Sequence, residues 1–148
     1  MASDLDLVKL YSGRILALAA DIPHLGKLDS PTATVRKRSP LCGSTVSVDL
    51  IVNDGRIVDF AQDVKACALG QASAAVLGRH VIGRNRQEIE TARDQLRAML
   101  QADGPVPSAP FDDLEVLLPA RDFSNRHASI LLAFDATAAA LVQAEEAA

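Results

Sequence analysis

The chain has two cysteines, Cys42 and Cys67, and they flank a segment whose apolar residues alternate. Three chemistries are open to such a pair: apolar core filling, a disulfide, or ligation of a soft metal or sulfur species. Cys42 stands in "PLCGS", where Pro40 and Gly43 predict an exposed turn. Cys67 precedes a run of small residues expected to form a helix, whose positive N-terminal end favours thiolate. A tetrahedral metal site needs four donors. Ser44, two residues beyond Cys42, would share its side of a strand, although a neutral hydroxyl is a weak ligand and a turn role is the simpler reading. His127 opens the last predicted helix and could add an imidazole nitrogen, against the simpler role of a capping or solvated ring. His24 and His80 stand in loop-like sequence without a motif. There is no Ser/His/Asp arrangement, phosphate loop or dinucleotide fingerprint, and Asp112 with Asp113 suits a helix start. The expectation is a protein that is not an enzyme.

The elements that would position the thiols can be read from periodicity. Val46, Val48, Leu50 and Val52 form one apolar row, Asn53-Asp54-Gly55 supplies a turn, and Val58 and Phe60 are expected to resume the row. Cys42 and Cys67 are equidistant from the Asp54-Gly55 peptide bond, so an antiparallel hairpin would bring them to the same open end. A further short strand is expected from Thr34 to Lys37. Residues 3 to 19 predict an amphipathic helix with Ser3 as N-cap and Leu7, Tyr11, Ile15 and Leu18 on its apolar stripe. "ALGQASAAVLG" after Cys67 predicts a helix that packs closely. Asn85 and Glu88 predict a capping box before a helix bearing Ile89, Ala92, Leu96 and Met99. "DGPVPSAP" is a loop, Asp113 to Leu118 a short helix, and Ser124 or Asn125 the expected cap of a last helix whose alanine-rich end frays.

This order of elements indicates an α+β fold, a three-stranded antiparallel sheet packed against several helices, with residues 1–148 as a single domain. The net charge of −4 argues against broad nucleic-acid binding. The one basic cluster, Arg36 to Arg38, suits a solvated strand end or the steering of an anionic partner. The longest apolar run, "ILALAA", is too short to cross a bilayer, so no membrane segment is expected. The first residues lack a basic start followed by an apolar block, which predicts cytoplasmic residence and reduced thiols.

Three stretches together, "HLGKLDSPTATV", "SPLCGSTVSVDLIVNDGRIVDF" and "ACALGQASAAVLGRHVIGR", resemble the NifU N-terminal, or IscU-like, iron-sulfur cluster assembly scaffold family. The family pattern has P-x-C-G-D, a strand pair with a D-G-x-I turn, and G-C-A-x-x-x-A-S-A leading into a helix. The long connection containing "PSAPFDDLEVLLPARD" looks like the SufU-type branch. The resemblance implies that Cys42 and Cys67 match the first two of three cysteine ligands, while Ser44 stands at the aspartate position. "DFSNRHASILLAFDA" aligns through Phe123, Arg126, Phe134 and Ala136 and puts Ser129 at the third cysteine; a rival register puts Ala128 there, with His127 at a histidine ligand.

What the resemblance implies is a scaffold or carrier that binds iron or a labile iron-sulfur cluster transiently, with zinc as a possible ion. It would take sulfur from a cysteine desulfurase and serve iron-sulfur acceptor or carrier proteins, without nucleic-acid or membrane partners. Cys42 and Cys67 are then the cofactor and metal ligands, His127 an additional one, and Ser44 and Ser129 degenerate ligand positions. Losing a thiolate and a carboxylate removes about two negative charges that would offset a metal ion. Two other roles follow from the same resemblance: a persulfide-accepting sulfur relay through either cysteine, and a metal-free regulatory module of the assembly machinery.

Overall fold

Asp54 and Gly55 both adopt positive φ, 53° and 77°, the pairing that a two-residue hairpin turn requires and that this dipeptide supplies. The turn joins β2, Thr45–Asn53, to β3, Arg56–Lys65. A third strand, β1, Ala33–Arg38, lies on the other side of β2, giving an antiparallel sheet in the order β1-β2-β3. A computed structural model describes residues 11–40 and 43–147 of the chain. Cys42, Ser3 and Leu7 lie outside the described residues.

The hairpin departs from the expected register at one point. Asn53 opposes Arg56 and Val52 opposes Ile57, but Ile51 opposes Asp59, which leaves Val58 as an unpaired bulge. Ile57 and Phe60 are buried and Val58 is 50% exposed, so Val58 does not continue the apolar row with Phe60. Beyond the bulge every pair is displaced by one residue, with Thr45 opposite Lys65. Val46, Val48 and Leu50 form the buried row of β2, and Val52, past the bulge, is only partly buried.

The described residues form four α-helices and one 3-10 helix. α1, Gly13–Ala19, starts at Ser12, whose Oγ accepts a bond from the Ile15 N–H at 3.4 Å. Ser12 is extended (φ −60°, ψ 164°), so the single helix expected from residues 3 to 19 is interrupted there. α2, Ala68–His80, is buried along Leu69, Ala72, Val76 and Leu77. α3, Arg86–Gln101, begins with the expected capping box: Asn85 Oδ1 accepts from the Glu88 N–H at 2.9 Å, and Glu88 Oε1 accepts from the Asn85 N–H at 3.2 Å. Its stripe of Ile89, Ala92, Leu96 and Met99 is buried.

The loop 103–110 is held at its start by Arg121. This side chain lies in the 3-10 helix Asp112–Asp122 and donates to the Met99 carbonyl at 2.7 Å and the Gly104 carbonyl at 3.0 Å. The α3 C-terminus thus gains a partner for one of its otherwise unpaired carbonyls. α4, Ser124–Ala147, packs against α2, α3 and the β1 and β2 strands. It already includes Ser124 and Asn125, so neither precedes it as a cap, and it stays helical through Ala147 because Ala138, Ala140, Leu141 and Ala144 are buried. α4 has the length and mean hydropathy, 1.3, of a membrane-crossing helix. With 72% of its apolar window inside the fold, it is the core helix.

Asn85→Ala removes one half of the capping box and is predicted to cost about 1 kcal/mol. Val58→Thr, at the exposed bulge, is expected to stay within about 0.5 kcal/mol of the parent. Urea midpoints of the two variants check this, and equal stability would contradict the ranking.

Candidate functional site

Cys67 is the residue that joins the sheet to α2. Its backbone is extended (φ −66°, ψ 169°), its carbonyl accepts from the Gln71 N–H at 2.9 Å, and its thiol is free and partly exposed. Gln71 Nε2 donates to the Ala66 carbonyl at 2.9 Å, which fixes the chain just before the cysteine. Cys67 is thus the N-cap residue of α2, and its side chain makes no capping bond.

α4 brings Ser129 to this point. Its hydroxyl lies 3.6 Å from the Cys67 sulfur and 3.1 Å from the Ser44 hydroxyl. Ser129 is 1% exposed and Ser44 5%. Ser44 is held by its own backbone, since its carbonyl accepts from the Ser39 N–H at 2.8 Å, while the Ser39 carbonyl accepts from the Gly43 N–H at 2.9 Å. These bonds tie the chain on both sides of Leu41 and Cys42. Three of the residues singled out by sequence thus converge: Ser44, Cys67 and Ser129.

Gly70 permits the convergence. A Cβ at this position would meet Ser129 Oγ at 2.7 Å, the Ala66 Cβ at 2.9 Å and the Ser129 carbonyl at 3.0 Å. Any other residue would hold α2 away from α4 and separate the thiol from the hydroxyls. Sequence reasoning noticed only that the helix after Cys67 is rich in small residues; the contact itself is between segments far apart in the chain.

As a cation site the described part is weak. It offers one group that can become anionic and two neutral hydroxyls, each already hydrogen-bonded. Among the described residues no three His, Cys, Asp or Glu side chains converge.

His127 and Ala128 lead elsewhere. His127 is buried, and its Nε2 lies 2.8 Å from the Ala120 carbonyl. A carbonyl only accepts, so Nε2 carries the proton and a neutral ring keeps its lone pair on Nδ1. Two positions apart on a helix, His127 and Ser129 face different sides. His127 and Ala128 line a cavity of about 670 Å³ between α4, α3 and the end of β1. Ser129, not Ala128, is the residue brought to Cys67.

In that cavity Asp135 is partly withdrawn from water, which raises its pKa above the ordinary aspartate value against the opposing pull of Arg97, Arg93 and Lys37. The folded chain then keeps this proton to higher pH than the unfolded chain does. Stability falls as pH rises from the ordinary aspartate range through the folded value.

A family model described as NifU-like N terminal domain matches residues 10–113, a span that includes Ser44 and Cys67 and ends before Ser129. The chain is 29% identical over 94 residues to the iron-sulfur cluster assembly scaffold protein IscU of Thermotoga maritima, covering 64% of this chain and 66% of that relative. It is 26% identical over 124 residues to the protein of the same description from Streptococcus pyogenes serotype M1, covering 84% of this chain and 77% of the relative. The crystal structure of a nitrogen-fixing NifU-like protein (N-terminal) from Brucella abortus superposes with a TM-score of 0.94 at 46% identity, over 97% of this chain and 99% of that one. A SufU scaffold from Fervidobacterium islandicum, at 21% identity and a TM-score of 0.79 over 89% of this chain and 96% of its own, shares the fold.

Gly70→Ala is predicted to destabilise by about 1 to 3 kcal/mol, the range for overpacking a tight contact, and to shift the Ser129 amide resonance. An unchanged midpoint would show that the helices separate freely. Asp135→Asn is predicted to flatten the decline of the urea midpoint between the ordinary aspartate range and neutrality; the same pH slope in both proteins would contradict this.

Proposed function

Given that the chain belongs to the NifU-like N-terminal domain family, we propose that it acts in iron-sulfur cluster assembly as a single-domain carrier or accessory scaffold. The observation that supports this best is the convergence of Cys67, Ser129 and Ser44 within 3.6 Å and 3.1 Å contacts. Those are three of the positions to which the family resemblance gives ligand roles. Cys42 is the fourth, and it lies outside the described residues.

The cargo is iron or a labile cluster, with zinc as a competing ion, held by the thiolates of Cys67 and Cys42. His127, expected from the sequence as a further donor, is not among these ligands: it lines the groove on another side of α4 from Ser129, with its Nε2 at the Ala120 carbonyl. The remaining ligands come from a second protein or a small thiol, since two hydroxyls contribute little charge. Such a site holds its cargo loosely. That suits receipt of sulfur from a cysteine desulfurase and release to acceptor proteins, rather than storage or turnover.

The hydroxyl pair also favours a second reading. Ser44 and Ser129 satisfy one another without a metal, as a metal-free regulatory member of the same machinery would require. Oxygen-free reconstitution with ferrous iron and sulfide separates the two. The carrier reading predicts iron and acid-labile sulfide in the parent and their loss in Cys67→Ala and in Cys42→Ala. It further predicts that Ser44→Asp combined with Ser129→Cys slows loss to a chelator by at least about tenfold, the scale on which changes around a metal alter its affinity. Equal metal content in the parent and the cysteine variants, or no gain in the double variant, would reject the ligand roles. A parent that takes up no iron yet binds a desulfurase equally well after both cysteines become serine would establish the regulatory reading.

A further inference from the structure

The cavity beside the candidate site is a groove, and it has a polarity that the chain as a whole lacks. Its lining on α4 runs from Ser124 to Val142, about 27 Å along a helix rising 1.5 Å per residue. That is far longer than a small metabolite. An extended peptide advances about 3.3 Å per residue, so roughly eight residues would fill it.

The floor is apolar. Leu131, Leu132 and Ala138 are buried, and Ala139 and Val142 are partly exposed within the groove. The rims are basic. Lys37 and Arg38 stand exposed at the end of β1, and Arg93 and Arg97 stand one turn apart on the facing side of α3. The groove lining contains four basic side chains against two acidic ones, Glu90 and Asp135, in a chain whose net charge is −4.

The acidic pair is already matched. Glu90 accepts from Arg86, which lies outside the groove, at 3.1 Å, and Asp135 lies 3.6 Å from Arg97. Arg93 turns to Asp94 at 3.0 Å. Among the described residues neither Lys37 nor Arg38 belongs to an ion pair. The groove therefore combines apolar surface with exposed positive charge at Lys37 and Arg38 that no ion pair among the described residues covers.

We propose that this groove docks an acidic segment of a partner protein, an extended peptide of about eight residues whose apolar side chains lie on the α4 floor and whose carboxylates meet Lys37 and Arg38. Apolar burial supplies affinity, and the basic rim selects acidic sequences and speeds encounter. Docking here is separate from cargo binding: Cys67 does not line the groove.

The test uses a dye-labelled ten-residue synthetic peptide with glutamates flanking a leucine-alanine centre, and a counterpart with lysine in place of glutamate, followed by fluorescence anisotropy. The acidic peptide is expected to bind at least tenfold more tightly than the basic one. Its affinity is expected to fall at least tenfold in Ala139→Trp, which fills the floor, and in the exposed pair Lys37→Glu/Arg38→Glu, and to persist in Cys67→Ala. Equal binding of the two peptides, or full affinity in both groove variants, would overturn the proposal. So would concentration-dependent dimerisation of the parent that Ala139→Trp abolishes, because the occupant would then be a second copy of this chain.

Discussion

Helix α2 can lie against α4 only because residue 70 has no side chain: a Cβ there would stand 2.7 Å from the Ser129 hydroxyl and 3.0 Å from its carbonyl. The contact lies one turn into the helix that begins after Cys67. Relaxing it would carry the cysteine backbone, which Gln71 anchors on both sides, away from the core helix. Protein interiors are packed too closely for such a shift to be absorbed locally. The placement of the thiol beside Ser129 and Ser44 therefore depends on this approach, and the hairpin and the backbone hydrogen bonds of Ser39 to Gly43 and Ser44 meet it from the other side.

The chemistry that results is muted compared with what the family pattern implies. Where that pattern has an aspartate and a third cysteine, this chain places two hydroxyls 3.1 Å apart, buried and bonded to each other. Such a pair needs no counter-ion, so this part of the site is electrically neutral when empty. A site with less charge to neutralise also binds a cation with less affinity, which fits transient custody of a cluster better than retention. The neighbouring groove shows the opposite balance, with surplus positive charge over an apolar floor. The two features lie on different faces of α4.

Much of the fold was legible because its signals are local. Asp54-Gly55 encodes its own turn, Asn85 and Glu88 encode their own cap, and the stripe from Ile89 to Met99 has a period that only a helix satisfies. What could not be read depends on residues meeting across the chain. The bulge at Val58 adds one residue without a sequence mark, so Val58 turned outward and Ile57 inward. The break at Ser12 looked like a continuing helix because Tyr11, Ile15 and Leu18 keep helical spacing across it. In the site, the two serines were found by alignment with a family pattern, whereas Gly70 and the groove arise from helices brought together only by folding.

The central claim is that the meeting point of Cys67, Ser129 and Ser44 is where the cargo sits. Iron K-edge absorption of the protein loaded with iron and sulfide in the absence of oxygen tests it directly, compared between the parent and a protein with Ser129→Cys alone. The account predicts a sulfur shell around iron in the parent and a higher sulfur count in the variant, because the new thiol would enter the same coordination sphere. An identical shell in the two proteins, or iron surrounded only by oxygen and nitrogen, would place the metal elsewhere and contradict the account.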